Sequence, residues 1–498
     1  MLATFQAVPV AAIAPWFVGL MVFYFLCVLF LAHSLSRKIA GLKDFFLAGR
    51  SLGPWPVAVA FVSSWFGAGS TMGSINAFNQ EGLGGLWYIF IPSGITCLLI
   101  TLFLAKRVAR RSEMSQPEAV RKYYGPLGRA LLSVIIIISI TNFVASQLVA
   151  AGLIFDRILD VGMLPATLIC ISVVLAYSVV GGYFAVVVTD FAQLSMVVLG
   201  LLTLLIACLA GFGDSQTVLG FFFARPQSFW QLIQPAQASI AHSQSPSLLE
   251  HLSLTLSFVL AWCLAPEMWQ RMTSSKNERY ASKAAWLAVL ILFLLFGIVT
   301  AIGLVSSYYL PQSEALPNKQ VLVDLALLLP HPLLTSLVLM GFLAAVTSTM
   351  DSSLNVGSLT LTHDLYQGFI RPSATERELV WVGRLGLVLM AIPAIIIAVA
   401  FQDIIHVLWM SADVFASAMV VPVMGILFFA QPKRLSGVLA MVFGLGFSIL
   451  SMAFQYHWFA LDSLLPFLWP QAPYSTLVGV SVSLLGFTLG QWLSPHKT

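Results

Sequence analysis

Of 498 residues, 59% are hydrophobic and only 9% are charged, for a net charge of +4 and a mean hydropathy of +0.93. A soluble domain carries about 25% charged residues because its surface faces water, so most of this chain must face lipid. Its apolar blocks run to about 20 residues, enough to cross the hydrocarbon as helices, and they lack the apolar–polar alternation of a membrane barrel.

Thirteen spans are expected in chain order, near 15–33, 54–78, 85–105, 130–156, 163–181, 190–212, 250–271, 284–309, 331–363, 380–402, 404–430, 435–455 and 474–493. The first has no basic residues before it and reads as a retained span, not a cleaved signal. Breakers at Glu81-Gly82, Gly125-Pro126, Gly181-Gly182, Pro311-Gln312 and Gln431-Pro432 separate several of the spans. With alternating spans, all but three of the 24 basic residues fall on one side; the exceptions are Arg157, Arg225 and Lys319. The positive-inside rule then puts the N-terminus outside and the C-terminus in the cytoplasm of the inner (cell) membrane. The five cysteines lie inside apolar blocks and read as small core residues.

Polar residues at mid-span mark candidate sites, because an unsatisfied polar group in hydrocarbon is costly. In the second span, the run Phe61 to Gly73 holds three glycines and several small polar residues. It reads either as an unwound stretch whose carbonyls can hold a cation or as a seam for close helix packing. In the ninth span, helical spacing places Ala345, Ser348, Thr349 and Ser352 on one face, with Asp351 in the same turn. Hard oxygens of this kind suit Na⁺ and fit Zn²⁺ poorly; the alternative is hydroxyls bonding back to carbonyls one turn earlier. Thr189-Asp190 reads as the N-cap of the sixth span, which does not exclude an ion ligand. Glu267 and Arg271, spaced i,i+4, read as a local ion pair. His331, His363, His406 and His457 have no metal-like partner, and no nucleotide-binding or hydrolase motif occurs, so neither an enzyme nor an organic cofactor is expected.

At these clusters the chain resembles the sodium:solute symporter family. The matching stretches are Asp44 to Leu52, Gly181 to Asp190, and Ala344 to Leu354 followed by Asp364-Leu365-Tyr366. The resemblance spans roughly residues 40–430. It implies an all-α polytopic protein, one transmembrane domain over 1–498, with two inverted five-helix repeats at about 54–212 and 250–430. The spans at 15–33, 435–455 and 474–493 would be peripheral.

It also implies a sodium site from the carbonyls of Ser63, Phe66 and Ala345 and the hydroxyls of Ser348 and Thr349. A second ion would fall on Asp190, Ser348, Asp351 and Ser352. Likeness to the sodium/proline and high-affinity choline branches implies a solute site at Trp65, Ser70, Phe143, Phe258, Trp262 and Pro266, where Trp65 and Trp262 can offer cation–π contact to an ammonium. The expected partners are Na⁺, a small organic solute and the bilayer, with no nucleic acid; the oligomeric state stays open. The expected function is sodium-driven import of a proline-, betaine- or choline-like solute by alternating access. The alternatives are another solute of the family, such as a carboxylate or vitamin, or a membrane sensor, which the chain's end at Thr498 disfavours because it leaves no room for a signalling module.

Overall fold

A computed structural model describes residues 9–36, 39–211, 215–233, 248–310, 320–429, 431–455 and 474–494. Arg37, Lys38, Lys319 and Lys497 of the charge count, His457 and the Pro311-Gln312 breaker lie outside these residues. Among the described residues the secondary structure is helical, apart from an isolated bridge between Leu52 and Ser275.

Helix α1 spans Val10–Ser36, α2 Leu42–Leu47 and α3 Pro54–Trp65. After a break the chain continues as α4 (Ser74–Glu81), α5 (Phe90–Leu99) and α6 (Ala105–Ala109). Two long runs follow, α7 (Gln116–Leu159) and α8 (Met163–Ala210). Short helices α9 (Ser215–Phe223) and α10 (Gln227–Trp230) lie in the longest connection. Next come α11 (Leu248–Trp262), α12 (Pro266–Ser274), α13 (Glu278–Tyr309) and α14 (Val321–Leu327). The last six are α15 (Pro332–Leu359), α16 (Glu376–Phe401), α17 (Ile404–Val414), α18 (Val421–Phe428), α19 (Arg434–Gln455) and α20 (Tyr474–Leu493).

Among the described residues, ten helical runs are long and apolar enough to cross a bilayer, or eleven if α11 and α12, which meet at a 48° bend, form one broken span. The count falls below thirteen because residues 69–109 and 163–210 each run on as one helical stretch. Each contains a glycine that leaves the helical region, Gly82 at φ +60° and Gly182 at φ +55°. An unbroken 48-residue helix would be about 72 Å long, more than twice the hydrocarbon thickness.

At Gly182 the positive φ is one that L side chains rarely adopt, and an added Cβ would sit 2.9 Å from the Phe45 carbonyl oxygen. Gly182→Ala is therefore expected to lower the yield of folded protein several-fold; gel-filtration recovery from membranes checks this, and full recovery would contradict it.

Helix α15 is the hub, buried along most of its length and packed against α1, α7 and α8. Helix α3 packs on α8, α13 and α15, while α19 and α20 pack on each other and on the π-helical stretch Phe415–Val420. The connection after α8 folds back over the α4–α5 turn, where Trp87 Nε1 donates to the Leu232 carbonyl at 2.9 Å. It forms no separate domain among the described residues.

Candidate functional site

The small-residue run does interrupt its helix. Helix α3 ends at Trp65, Phe66 departs to φ −94°, ψ 67°, and winding resumes as a π-helical turn at Gly69–Gly73. The helix is interrupted as one reading expects, and the break is also a close-packing point as the other expects. A Cβ on Gly67 would lie 2.5 Å from Gln147 Oε1 and 2.8 Å from Thr349 Oγ1. Gln147, on α7, stabilises the break by accepting from the Ala68 N–H at 2.9 Å. Sequence reasoning missed it, although an amide deep in an apolar span is itself a signal.

Against this break α15 presents its hydroxyl face. Ser348 Oγ lies 3.4 Å and Thr349 Oγ1 2.9 Å from the Ser63 carbonyl, and both also reach the Ala345 carbonyl, at 2.9 and 3.0 Å. Two carbonyls and two hydroxyls from helices almost 300 positions apart thus converge, with Phe66 at the break itself. A hydroxyl has one proton, so each donates to one carbonyl at a time and keeps lone pairs for a cation. Oxygen-only ligands match a hard cation, and no cluster of His, Cys, Asp and Glu suited to a metal occurs among the described residues.

A buried charge network adjoins this cluster. Arg271 is fully buried, donating through Nη2 to Ser64 Oγ at 2.7 Å and to Ser352 Oγ at 2.5 Å, with its guanidinium over the Tyr183 ring at 4.8 Å. Asp351 accepts from Tyr177 OH at 2.7 Å and from Ser352 Oγ at 3.3 Å. Asp190 is fully buried, yet neither of its oxygens, nor Ser63 Oγ nearby, has a well-formed hydrogen bond.

Two expectations are corrected here. Asp190 is no N-cap, because the helix restarts directly after Gly182, two turns earlier. Glu267 and Arg271 form no ion pair among the described residues, because Arg271 turns to Ser64 and Ser352 while Glu267 Oε1 accepts from Ser353 Oγ at 2.8 Å.

On the other side of the break lies a cavity of about 500 Å³, counting its open mouth. The sequence-selected Trp65, Ser70, Phe143, Phe258 and Trp262 all line it, and Pro266 lies between the lining residues Ala265 and Glu267. Ring centroids of Phe143 and Trp262 are 4.8 Å apart, and those of Trp65 and Phe258 6.4 Å. Trp65 is oriented by Nε1 donating to Ser93 Oγ at 3.1 Å, and Ser70 Oγ donates to the Trp65 carbonyl at 2.9 Å. Gln147, Glu267, Met268 and Leu408 also line the cavity and were not anticipated there.

The model of the sodium:solute symporter family matches residues 45–444. The chain belongs to this family. As a symporter it imports solute coupled to Na⁺, and it is a multi-pass membrane protein. It is 28% identical over 375 residues to a sodium/proline symporter of Haemophilus influenzae, covering 72% of each chain. It is 24% identical over 446 residues to the osmoregulated proline transporter OpuE of Bacillus subtilis, covering 84% of this chain and 85% of the relative. The symporter also shares its fold with a solved Na⁺-coupled sialic acid symporter in a substrate-bound outward-open state, at TM-score 0.76 and 16% identity over 96% and 98% of the two chains.

Proposed function

We propose that this symporter carries a small zwitterionic solute, proline first among those to test, with betaine- and choline-like solutes next. One observation carries the reading. Ser63, whose carbonyl faces the α15 hydroxyls, and Trp65, on the cavity wall, are two residues apart at the same helix break. A cation on one side of the break and a solute on the other must then bind to a common, movable backbone.

The coupling Na⁺ is held by the carbonyls of Ser63, Phe66 and Ala345 and the hydroxyls of Ser348 and Thr349. The solute sits among Trp65, Ser70, Phe143, Phe258, Trp262 and Pro266, its carboxylate toward the N–H groups of the helix that restarts at Gly69. For a second ion, Asp351 and Ser352 are already engaged by Tyr177 and Arg271, whereas Asp190 and Ser63 Oγ, beside each other, have no well-formed hydrogen bond. Two carboxylates against one guanidinium leave one negative charge uncompensated, and Asp190 is where a second cation would go.

The breaks at Gly82 and Gly182 support thirteen spans in two inverted repeats, at about 54–212 and 250–430, in a single domain over 1–498. On that count the N-terminus lies outside and the C-terminus in the cytoplasm. The cavity then continues outward, since Tyr88 and Trp409 line an adjoining hollow with Phe258 and Trp262. One charge falling through 100 mV supplies about 2.3 kcal/mol, and a tenfold sodium gradient adds about 1.4 kcal/mol. Together they sustain an accumulation of a few hundredfold.

Purified protein in sealed liposomes, given labelled proline, betaine or choline with and without a sodium gradient, tests this reading. Sodium-dependent uptake and counterflow of a zwitterion are expected. Binding without counterflow would indicate a sensor, and uptake unchanged by removal of Na⁺ would refute the proposed coupling.

A further inference from the structure

Glu267 is out of place under any purely structural account. It lies in the first turn of α12, is 2% exposed, and lines the aromatic cavity. Ser353 Oγ donates to Oε1, but Oε2 has no well-formed hydrogen bond, and Arg271, one turn on, is committed to Ser64 and Ser352. An orphaned buried carboxylate oxygen is costly unless a ligand completes it.

Resting on the solute site proposed above, we propose that Glu267 is the solute's ammonium receptor and selects cations that carry an N–H. Trp65, Phe143, Phe258 and Trp262 present π faces that attract any ammonium. Such faces do not distinguish a protonated amine from a quaternary one. Oε2 does, because it accepts a charge-assisted hydrogen bond only from a nitrogen with a proton to give. A quaternary ammonium would leave the oxygen desolvated and unpaired, and specificity gained through an unpaired polar group is large. The solute class is therefore a primary or secondary ammonium zwitterion, with quaternary betaines and choline rejected.

The same contact ties solute to ion. Ser353 Oγ, which donates to Glu267 Oε1, also lies 3.0 Å from the Thr349 carbonyl, in the turn that carries the sodium-facing hydroxyl. Occupation of Glu267 thus bears directly on the α15 face.

The test compares proline with its N,N-dimethyl derivative, alongside primary-amine zwitterions, choline and amine-free carboxylates. Equilibrium binding to purified protein and uptake into liposomes are both measured. Proline or a primary-amine zwitterion should bind, and N-dimethylation should weaken it at least about tenfold, the scale of a lost charge-assisted hydrogen bond. Glu267→Gln should raise KM about tenfold or more and flatten that N–H preference. Glu267→Asp should keep the preference at reduced affinity. Sodium binding in the absence of solute, read by tryptophan fluorescence, should survive in both variants, which also reports folding.

If wild-type protein shows sodium-dependent uptake of a quaternary ammonium or an amine-free solute in preference, the Glu267 proposal falls and the symport reading stands. Unchanged KM and selectivity in Glu267→Gln, or a shift only in sodium dependence, would overturn it in the same way. Binding of none of the panel by wild-type protein would count against both.

Discussion

Replacing Arg271 with methionine is expected to cost about 3–5 kcal/mol of stability, the scale for stripping one partner from a buried charge network. Arg271 is fully buried and bridges α3 to α15 through Ser64 and Ser352, with Asp190 and Asp351 within its field. Without it, two carboxylates face each other in low dielectric with no countercharge. Thermal unfolding in detergent checks the loss. Arg271→Lys should recover little, because an ammonium lacks the planar fork that reaches both serines. Adding Asp351→Asn to Arg271→Met should restore part of the stability, since groups in one network couple non-additively. A methionine variant with unchanged melting behaviour and uptake would contradict the reading.

Alanine at Ser348 or Thr349 is expected to raise the sodium concentration for half-maximal uptake by about tenfold or more. Each substitution removes one of the four oxygens that converge where α3 breaks, and a contact to a charged group is worth about 1.5–3 kcal/mol. The solute KM measured at saturating Na⁺ should move far less. Thr349→Ser, which keeps the oxygen, should hold close to the parent value. Normal sodium dependence in both alanine variants would remove the proposed cation site.

Much of this molecule was legible before its fold was. A possible break in the run Phe61 to Gly73 and the hydroxyl face of Ser348 and Thr349 follow from residue type and spacing, while the aromatic set of Trp65, Phe143, Phe258 and Trp262 came from the family resemblance. The structure brings those residues to one place. The reading failed where it inferred a side chain's partner from its neighbours in sequence. Asp190 looked like a cap because Gly181-Gly182 precedes it, but the helix restarts too early for that role. Glu267 and Arg271 looked paired because they sit one turn apart, but each instead meets serine hydroxyls on α3 or α15.

Sequence alone determined that the chain spans a membrane many times, which of its polar residues are sunk in the apolar segments, and where glycine lets a helix break. Those properties depend on local length, hydrophobicity and backbone freedom. Tertiary structure alone decided which polar groups meet. Gln147 holds the break from α7, Arg271 locks α12 to α3 and α15, and Glu267, on the cavity wall, keeps one buried oxygen without a well-formed hydrogen bond. A long side chain can reach several neighbours from one helix position, and the choice among them is made by helices packed against it from distant parts of the chain.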